Sequence, residues 1–170
     1  MKIKSLIEQP KIAARCAELG TEISSFYRGR QLTVVALLNG GMIFASDLVR
    51  HIDLPLELDA LAAASYAGDA STGEVIFRGG LKRPIRGRDV LVVDDVLDSG
   101  LSMHRTMELL KALEPASIRS CVLLEKERTH SGCTNCDWVG FKIPDVYVVG
   151  CGLDSNELYR NLPFVGVVEP

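Results

Sequence analysis

The sequence predicts an α/β domain with a Rossmann-like, mainly parallel central sheet flanked by helices. Residues 32–38, 90–93 and 117–124 are predominantly apolar and read as strands buried on both faces. Helical patterns follow the first two strands, over residues 42–49 and from Leu101 onward. This alternation is typical of a parallel sheet, because parallel neighbours need crossover connections.

Further elements complete the chain. Residues 11–27 form an amphipathic helical pattern, with Pro10 near its first turn. Residues 56–66, 74–78 and 147–149 read as shorter strands. Between the first two of these lies a small, polar, glycine-bearing segment, which is either a mobile loop that could cover a site or an ordinary hairpin connection.

Composition fits one soluble globular domain. The chain has 170 residues, of which 47% are hydrophobic and 24% charged, and it begins without a long apolar run. We therefore expect a cytoplasmic protein without a membrane partner. The net charge is −3, and the densest basic cluster lies in one Pro/Gly-bearing connection, which argues against nucleic acid as the partner. The five cysteines are expected to be reduced thiols.

The most informative stretch spans residues 90–103 and reads VLVVDDVLDSGLSM. A buried strand is followed by two carboxylates, Asp94 and Asp95, and then by a turn of small polar residues that leads into a helix. Free backbone N–H groups at a helix start attract phosphate, and Gly100 lets the backbone approach it closely. The hydroxyls of Ser99 and Ser102 can add hydrogen-bond donors.

The two carboxylates restrict what the phosphate belongs to. They would repel a bare phosphate, but they can accept hydrogen bonds from sugar hydroxyls or bind magnesium. A P-loop is excluded, because G-x-x-x-x-G-K-[ST] is absent from the sequence. A receiver domain would place such a strand at its start, and a purely structural role for the acids does not explain the D-S-G-x-S turn.

Other segments are ambiguous when taken alone. The Leu38-Asn39-Gly40-Gly41 segment links a strand to a helix and could bind an anion, although such glycines usually just form a turn. Lys126 follows the strand over residues 117–124, where a lysine is usually solvated. The C-x-x-C of Cys133 and Cys136 could form half of a zinc site, but further ligands are missing unless His130 joins, so a zinc site is not expected.

Taken together, these segments resemble the type I phosphoribosyltransferases, in particular the hypoxanthine-guanine, or 6-oxopurine, branch. The resemblance rests on L-x-G-G at residues 38–41, Ser65-Tyr66, the central motif, LL-x-K at residues 123–126 and VGF-x-IPD-x-[FY]-VVG-x-x-LD at residues 139–154. It implies a single domain over residues 1–170. The core would span about 28–150, and a small hood would come from the terminal segments, about 1–27 and 151–170.

The resemblance also implies how phosphoribosyl pyrophosphate is bound. Asp94 and Asp95 would engage the ribose hydroxyls and Mg²⁺, and Asp154 would touch a second Mg²⁺. A cis peptide bond is implied after Leu38, and Ser65 and Tyr66 would begin a flexible loop that closes over the site. The ribose 5'-phosphate would be held by Asp98, Ser99, Gly100, Leu101 and Ser102, and the pyrophosphate by Leu38, Asn39, Gly40 and Arg160.

On the base side, the resemblance implies that Lys126 donates to the 6-oxygen and that Tyr147 stacks on the purine. Backbone carbonyls near Val148 and Asp154 would read the ring edge. Asp98, as general base, and Lys126 are the implied catalytic residues. The expected reaction transfers the phosphoribosyl group to hypoxanthine or guanine in purine salvage, with Mg²⁺ as cofactor.

Three questions stay open at the sequence level. The chain is expected to form a homodimer or homotetramer, but the sequence does not choose between them. A non-catalytic regulator that senses phosphoribosyl pyrophosphate or nucleotides could keep the same fold. A transferase for another base, such as xanthine or a pyrimidine, would also share most motifs, although Lys126 with Tyr147 favours a 6-oxopurine.

Overall fold

A computed structural model describes residues 2–65, 75–78, 80–132 and 135–169. The helices are α1 (Gln9–Phe26), α2 (Gly41–Val49) and α3 (Leu101–Lys111). The strands are β1 (Lys2–Ile7), β2 (Leu32–Leu38), β3 (Leu56–Ser65), β4 (Val75–Arg78), β5 (Asp89–Leu97), β6 (Ser117–Lys126), β7 (Trp138–Ile143), β8 (Val148–Val149) and β9 (Val165–Glu169).

Within these described ranges, the main sheet has six strands in the order β4-β3-β2-β5-β6-β7. The pairs from β3 through β7 are parallel, and among the described strands of this sheet only the edge strand β4 runs antiparallel to its neighbour. The predicted Rossmann-like, mainly parallel sheet is confirmed. Strand β5 lies at the centre of the sheet between β2 and β6. The motif that predicted the fold therefore lies on a strand that is hydrogen-bonded to a neighbour on each side.

The helices cover both faces of the sheet, and β5 shows why. Leu91 and Val93 belong to the core cluster that also contains residues of α1 and α2. Their alternating neighbours Val90 and Val92 belong to a second cluster that includes Met103 and Leu110 of α3. A strand with period-two side chains therefore buries both of its faces, as its continuous apolar sequence predicts.

Several strands differ from their predicted lengths. Strand β5 does not end before the acids but continues to Leu97, because Val96 and Leu97 still pair with Leu124 and Glu125 of β6. Likewise β6 extends to Lys126, which was predicted to lie just beyond it. The acids and the lysine are therefore held on strands, where the backbone is more rigid than in a loop.

A second, smaller sheet has the order β1-β9-β8, and both of its pairs are antiparallel. Its β1 and β9 come from opposite ends of the chain, and their pairing holds those ends together. Helix α1, which is expected to belong to the hood with residues 1–27, contributes Ile12, Cys16, Leu19 and Ile23 to the larger core cluster, and the division into core and hood stays a prediction. Within the described residues, no helix is both long and apolar enough to cross a bilayer.

Candidate active site

The carboxyl ends of three neighbouring parallel strands meet at one edge of the main sheet. Strand β2 ends at Leu38, β5 at Leu97 and β6 at Lys126. This edge is where ligands bind in open α/β sheets, because the strand-to-helix connections open a crevice there. All three strand ends carry residues that the sequence analysis assigned to binding or catalysis.

Asp94 and Asp95 place two carboxyl groups side by side near the end of β5. The backbone N–H of Asp95 donates to Oδ1 of Asp94 over 2.9 Å. Although both residues keep some exposed surface, burial raises the pKa of Asp94 well above its usual range, and the Asp95 carboxylate raises it further. Burial also raises the pKa of Asp95, while its hydrogen bonds and the nearby Arg160 cation oppose that rise. The pair favours a ligand that supplies positive charge or hydroxyl donors.

The turn after β5 leads into the N-terminus of α3. Gly100 has a φ of 78°, a left-handed conformation suited to glycine, and its carbonyl accepts the N–H of His104 over 2.9 Å as the helix starts. A cavity of about 190 Å³ lies against this turn. It is lined by Asp94, Asp95, Val96, Leu97, Asp98, Ser99, Gly100, Ser102 and Met103. Acids on one side and a helix start on the other suit a sugar phosphate better than a bare phosphate.

The segment after β2 packs directly on the acid pair. Its Leu38–Asn39 peptide bond is cis, as the resemblance implies. A Cβ atom at Gly40 would overlap the Asp95 carboxylate, and one at Gly41 would lie 2.9 Å from the Cα of Asp94. The two glycines therefore let the backbone of this segment touch the acids. Leu38, Asn39 and Gly40 are thus brought beside Asp94 and Asp95.

Arg160 and Asp154 belong to a segment that folds onto this edge. The guanidinium of Arg160 donates to the carbonyl of Gly152 over 2.8 Å and pairs with the Asp154 carboxylate at 2.8 Å. A Cβ at Gly152 would overlap the carbonyl oxygen of Gly40. Arg160 is therefore fixed close to the Leu38–Gly40 segment by bonds within its own loop.

A second cavity, of about 290 Å³, adjoins the first and shares Asp95, Val96 and Asp98 with it. The remaining lining residues are Lys126, Tyr147, Val148, Leu153 and Asp154. Nζ of Lys126 donates to Oδ2 of Asp98 over 2.9 Å. The hydroxyl of Tyr147 donates to the backbone carbonyl of Asp154 over 3.1 Å. All four residues that were assigned to the purine thus line one cavity.

Three further residues near Asp98 were not predicted from the sequence. Arg128 pairs with the Asp98 carboxylate at 2.8 Å, and Asp145 lies 3.5 Å from both Lys126 and Arg128. Nδ1 of His130 lies 2.5 Å from the Asp98 backbone oxygen. Asp145 was inside a quoted motif and could have been found. Arg128 gave no signal, and His130 stood out only as a companion to Cys133 and Cys136, because nothing in the sequence shows that their segment returns to the turn after β5.

The carboxylates of this site could hold a magnesium ion only if substrate oxygens and waters supplied its remaining ligands. Within the described part of the chain, no three His, Cys, Asp or Glu side chains come close enough to hold a metal ion themselves. Mg²⁺ is commonly held by one or two carboxylates, with waters and substrate oxygens completing its shell. Asp94 and Asp95 could provide such a partial site, and Asp154 could provide another.

Two predictions concern residues that the structure does not fully cover. Tyr66 and Cys133 lie outside the described residues, so the closing loop stays a prediction and the C-x-x-C of Cys133 and Cys136 keeps no assigned role. Ser65 is the last residue of β3.

The fold and the site define a class of α/β protein in which a carboxylate-lined cavity at a helix start adjoins a second cavity at the carboxyl edge of a parallel sheet. Residues 2–156 match the model of the phosphoribosyl transferase domain. The chain therefore belongs to the phosphoribosyltransferase family, and its relatives place it in the hypoxanthine-guanine branch.

Those relatives match along almost their whole length. The chain is 39% identical to a hypoxanthine-guanine phosphoribosyltransferase of Bacillus subtilis, over 98% of this chain and 93% of the relative. It is 42% identical to one of Mycobacterium avium, over 99% of this chain and 87% of the relative. A crystal structure of a hypoxanthine phosphoribosyltransferase from Staphylococcus aureus superposes with a TM-score of 0.93 at 38% identity, covering 98% of this chain and 91% of that one.

Proposed function

We propose that the chain acts in purine salvage by transferring the 5-phosphoribosyl group of phosphoribosyl pyrophosphate to N9 of hypoxanthine or guanine. The products would be IMP or GMP and pyrophosphate. The observation that carries the proposal is Lys126, which is only 9% exposed and lines the cavity that also contains Tyr147. The names of the relatives from B. subtilis and M. avium support the same substrates.

The lysine explains the choice of base. An ammonium group has only donors, so it can bind the oxygen at position 6 of hypoxanthine or guanine but not the amino group of adenine. A site built around such a donor rejects an analogue that leaves the donor unpaired. The half-exposed ring of Tyr147 offers a surface for stacking on the purine.

The smaller cavity would take the sugar phosphate. The 5'-phosphate would lie at the start of α3, and the ribose hydroxyls would donate to Asp94 and Asp95. The pyrophosphate would face the Leu38–Gly40 segment, with Arg160 as its cationic partner. Magnesium, when bound by the carboxylates and the substrate, would neutralise charge on the pyrophosphate leaving group.

The transfer then follows from these positions. N9 of the base forms a bond to C1' of the ribose, and the bond from C1' to the pyrophosphate oxygen breaks, with its electron pair leaving on pyrophosphate. Positive charge that develops on the ribose is stabilised by the nearby Asp94 and Asp95 carboxylates. Oδ2 of Asp98 accepts the proton lost from N7 of the purine, so Asp98 is the general base.

We also expect the chain to work as a homodimer or homotetramer in the cytoplasm, where charged sugar phosphates are retained. An apolar groove of about 540 Å³ between α2 and β3 supports self-association, because its rim includes the half-exposed side chains of Met42 and Leu58. A second copy of the chain is the expected occupant. Light scattering of the purified protein gives its mass in solution.

A spectrophotometric assay tests the proposed activity. The protein is given Mg²⁺ and phosphoribosyl pyrophosphate together with hypoxanthine, guanine, xanthine, adenine or uracil, one base at a time. We expect turnover with hypoxanthine or guanine and none with adenine. Lys126→Met should abolish that turnover, whereas Lys142→Met, which changes an exposed lysine of β7, should leave it unchanged.

Two results would contradict the proposal in different ways. Turnover with uracil or xanthine alone would assign a transferase to another base. Tight binding of phosphoribosyl pyrophosphate without turnover of any base would point to a regulator on the same fold.

A further inference from the structure

Four charged side chains form a closed ring beside the larger cavity. Asp98 is held through Oδ2 by Lys126 at 2.9 Å and through Oδ1 by Arg128 at 2.8 Å. Asp145 lies opposite, with Oδ1 at 3.5 Å from Lys126 and Oδ2 at 3.5 Å from Arg128. Each cation thus touches both anions, and each anion uses one oxygen for each cation.

This ring poses a problem for the proposed reaction. Lys126 must bind the 6-oxygen of the purine, and Asp98 must accept a proton at N7, yet the two groups are bonded to each other in the structure. A purine has to part them. When it does, Lys126 still has Asp145 as its counter-ion, and Asp98 still has Arg128.

The geometry points to a definite role for the arginine. We propose that Arg128 is a positioning residue that holds Asp98 by Oδ1, so that Oδ2 is presented to N7 of the purine when Lys126 turns to the 6-oxygen. The inference rests on the proposed function and extends it. Arg128 itself would touch neither the base nor the sugar.

Arg128 is about 42% exposed, and an isolated exposed ion pair contributes little. Its segment, however, is tied to the turn that carries Asp98. His130 contacts the backbone oxygen of Asp98, and the N–H groups of Ser131 and Gly132 both donate to the carbonyl of Ser99, at 3.0 and 3.1 Å. A Cβ at Gly132 would lie 2.5 Å from the Gly100 oxygen, so the two segments pack in direct backbone contact.

The ring therefore differs from a chance surface pair in two respects. The backbone that carries Arg128 is docked on the backbone that carries Asp98. In addition, the Lys126 partner is almost fully buried, with a side-chain exposure of 11%. A fixed arginine can therefore select one orientation of the Asp98 carboxylate.

Steady-state kinetics of Arg128→Ala with hypoxanthine test the role. We expect kcat to fall about 10-fold, because general-base transfer contributes about 10²–10⁴ in rate and orientation accounts for part of it. The KM for phosphoribosyl pyrophosphate should change less than about twofold, since Arg128 lies outside the sugar phosphate cavity. Arg128→Lys, which keeps the charge, should recover most of the loss, and Arg128→Gln should not.

The decisive measurement is a double-mutant cycle with Asp98→Asn. If Arg128 acts through Asp98, adding Arg128→Ala to Asp98→Asn should lower kcat by less than about twofold more. A purely structural role would give the same loss in both backgrounds and would overturn the inference. Arg86→Ala, which breaks an exposed ion pair with Glu114 outside the lining of both site cavities, is the matched control and should behave as wild type.

The outcomes separate this inference from the proposed function. A wild-type protein that turns over no base fails the proposed function and the role of Arg128 with it. Normal turnover by a folded Arg128→Ala variant overturns the role of Arg128 alone. Thermal melting confirms that the variants are folded, and Arg128→Gln replaces the alanine variant if the latter melts at a lower temperature.

Discussion

The α-carbon of Gly40 lies against the carboxylate of Asp95, so closely that any Cβ at this position would overlap it. The backbone that we assign to pyrophosphate and the acid that we assign to ribose and magnesium are therefore in direct contact. The glycine is needed for this contact, not for an unusual φ.

Gly40→Ala should consequently damage activity far more than stability. The added methyl group has to displace either the Asp95 carboxylate or the loop, and a displacement of about 1 Å at a catalytic site can cost about 100-fold in rate. We expect a loss of about that size in kcat/KM for phosphoribosyl pyrophosphate. Gly80→Ala is the control, because nothing lies within 4 Å of a Cβ there. Equal kinetics for the two variants would show that the contact is dispensable.

Asp98→Asn should separate chemistry from binding. An amide cannot accept the proton from N7, so we expect kcat to fall by about 10²–10⁴, the usual contribution of a general base. Binding of phosphoribosyl pyrophosphate, measured by calorimetry, should change only a few-fold, because the phosphate turn keeps its backbone. Unchanged turnover would remove Asp98 as the base.

Asp94→Asn should stabilise the ligand-free protein at neutral pH. Burial and Asp95 raise the pKa of Asp94 in the folded state, so the folded protein binds a proton more readily than the unfolded chain does. Stability is therefore lost as the pH rises above the usual range of a carboxyl group, and the amide avoids that loss. A gain of about 1 kcal/mol corresponds to about 2–4 °C in Tm for a chain of this size.

Thermal melts of wild type and Asp94→Asn in chelator, at about pH 5 and about pH 8, check this prediction. The variant's advantage should be larger at the higher pH, while its transferase activity should be strongly reduced. Adding Mg²⁺ with phosphoribosyl pyrophosphate should raise the Tm of wild type more than that of the variant. A lower Tm for the variant at the higher pH would contradict the raised pKa.

Tyr147→Phe should alter the preference between the two bases. The tyrosine hydroxyl donates to the carbonyl of Asp154, which we expect to read the purine edge. Guanine carries a 2-amino donor at that edge and hypoxanthine does not, so removing the hydroxyl frees an acceptor for guanine only. A hydrogen bond worth about 1 kcal/mol predicts about a fivefold rise in the guanine-to-hypoxanthine ratio of kcat/KM. An unchanged ratio would show that the hydroxyl does not compete with guanine.

The bounds of a strand were predicted best where its run of apolar residues coincides with the part that is buried in the structure. Strand β2 begins and ends at the predicted residues 32 and 38, because its side chains are buried throughout until Leu38, which is half-buried. For β5 the pattern ended too early: a run of apolar residues stops at Asp94, but strand pairing with β6 continues to Leu97. Hydrophobicity marks the buried part of a strand, not its last hydrogen bond.

The site could be predicted only as far as its motifs. The resemblance implied that Asp98 and Lys126 act on the same base. In the structure both residues line one cavity. Arg128 and His130 could not be predicted, because their position depends on how the segment after β6 docks on the turn after β5. Such long-range contacts leave no periodicity in the sequence.

The pairing of β1 with β9 has a consequence for the order of folding. Its register joins Lys2 to Glu169, so it closes a loop of nearly the whole chain. The entropic cost of closing a loop rises with its length, so this pairing is less favoured early in folding than the pairing of strands nearer in sequence. The N–H of Val168 donates to the carbonyl of Tyr147 over 3.1 Å, so the wall of the base cavity depends on this late step. We therefore expect a nascent chain to complete its phosphate cradle well before it can recognise a base.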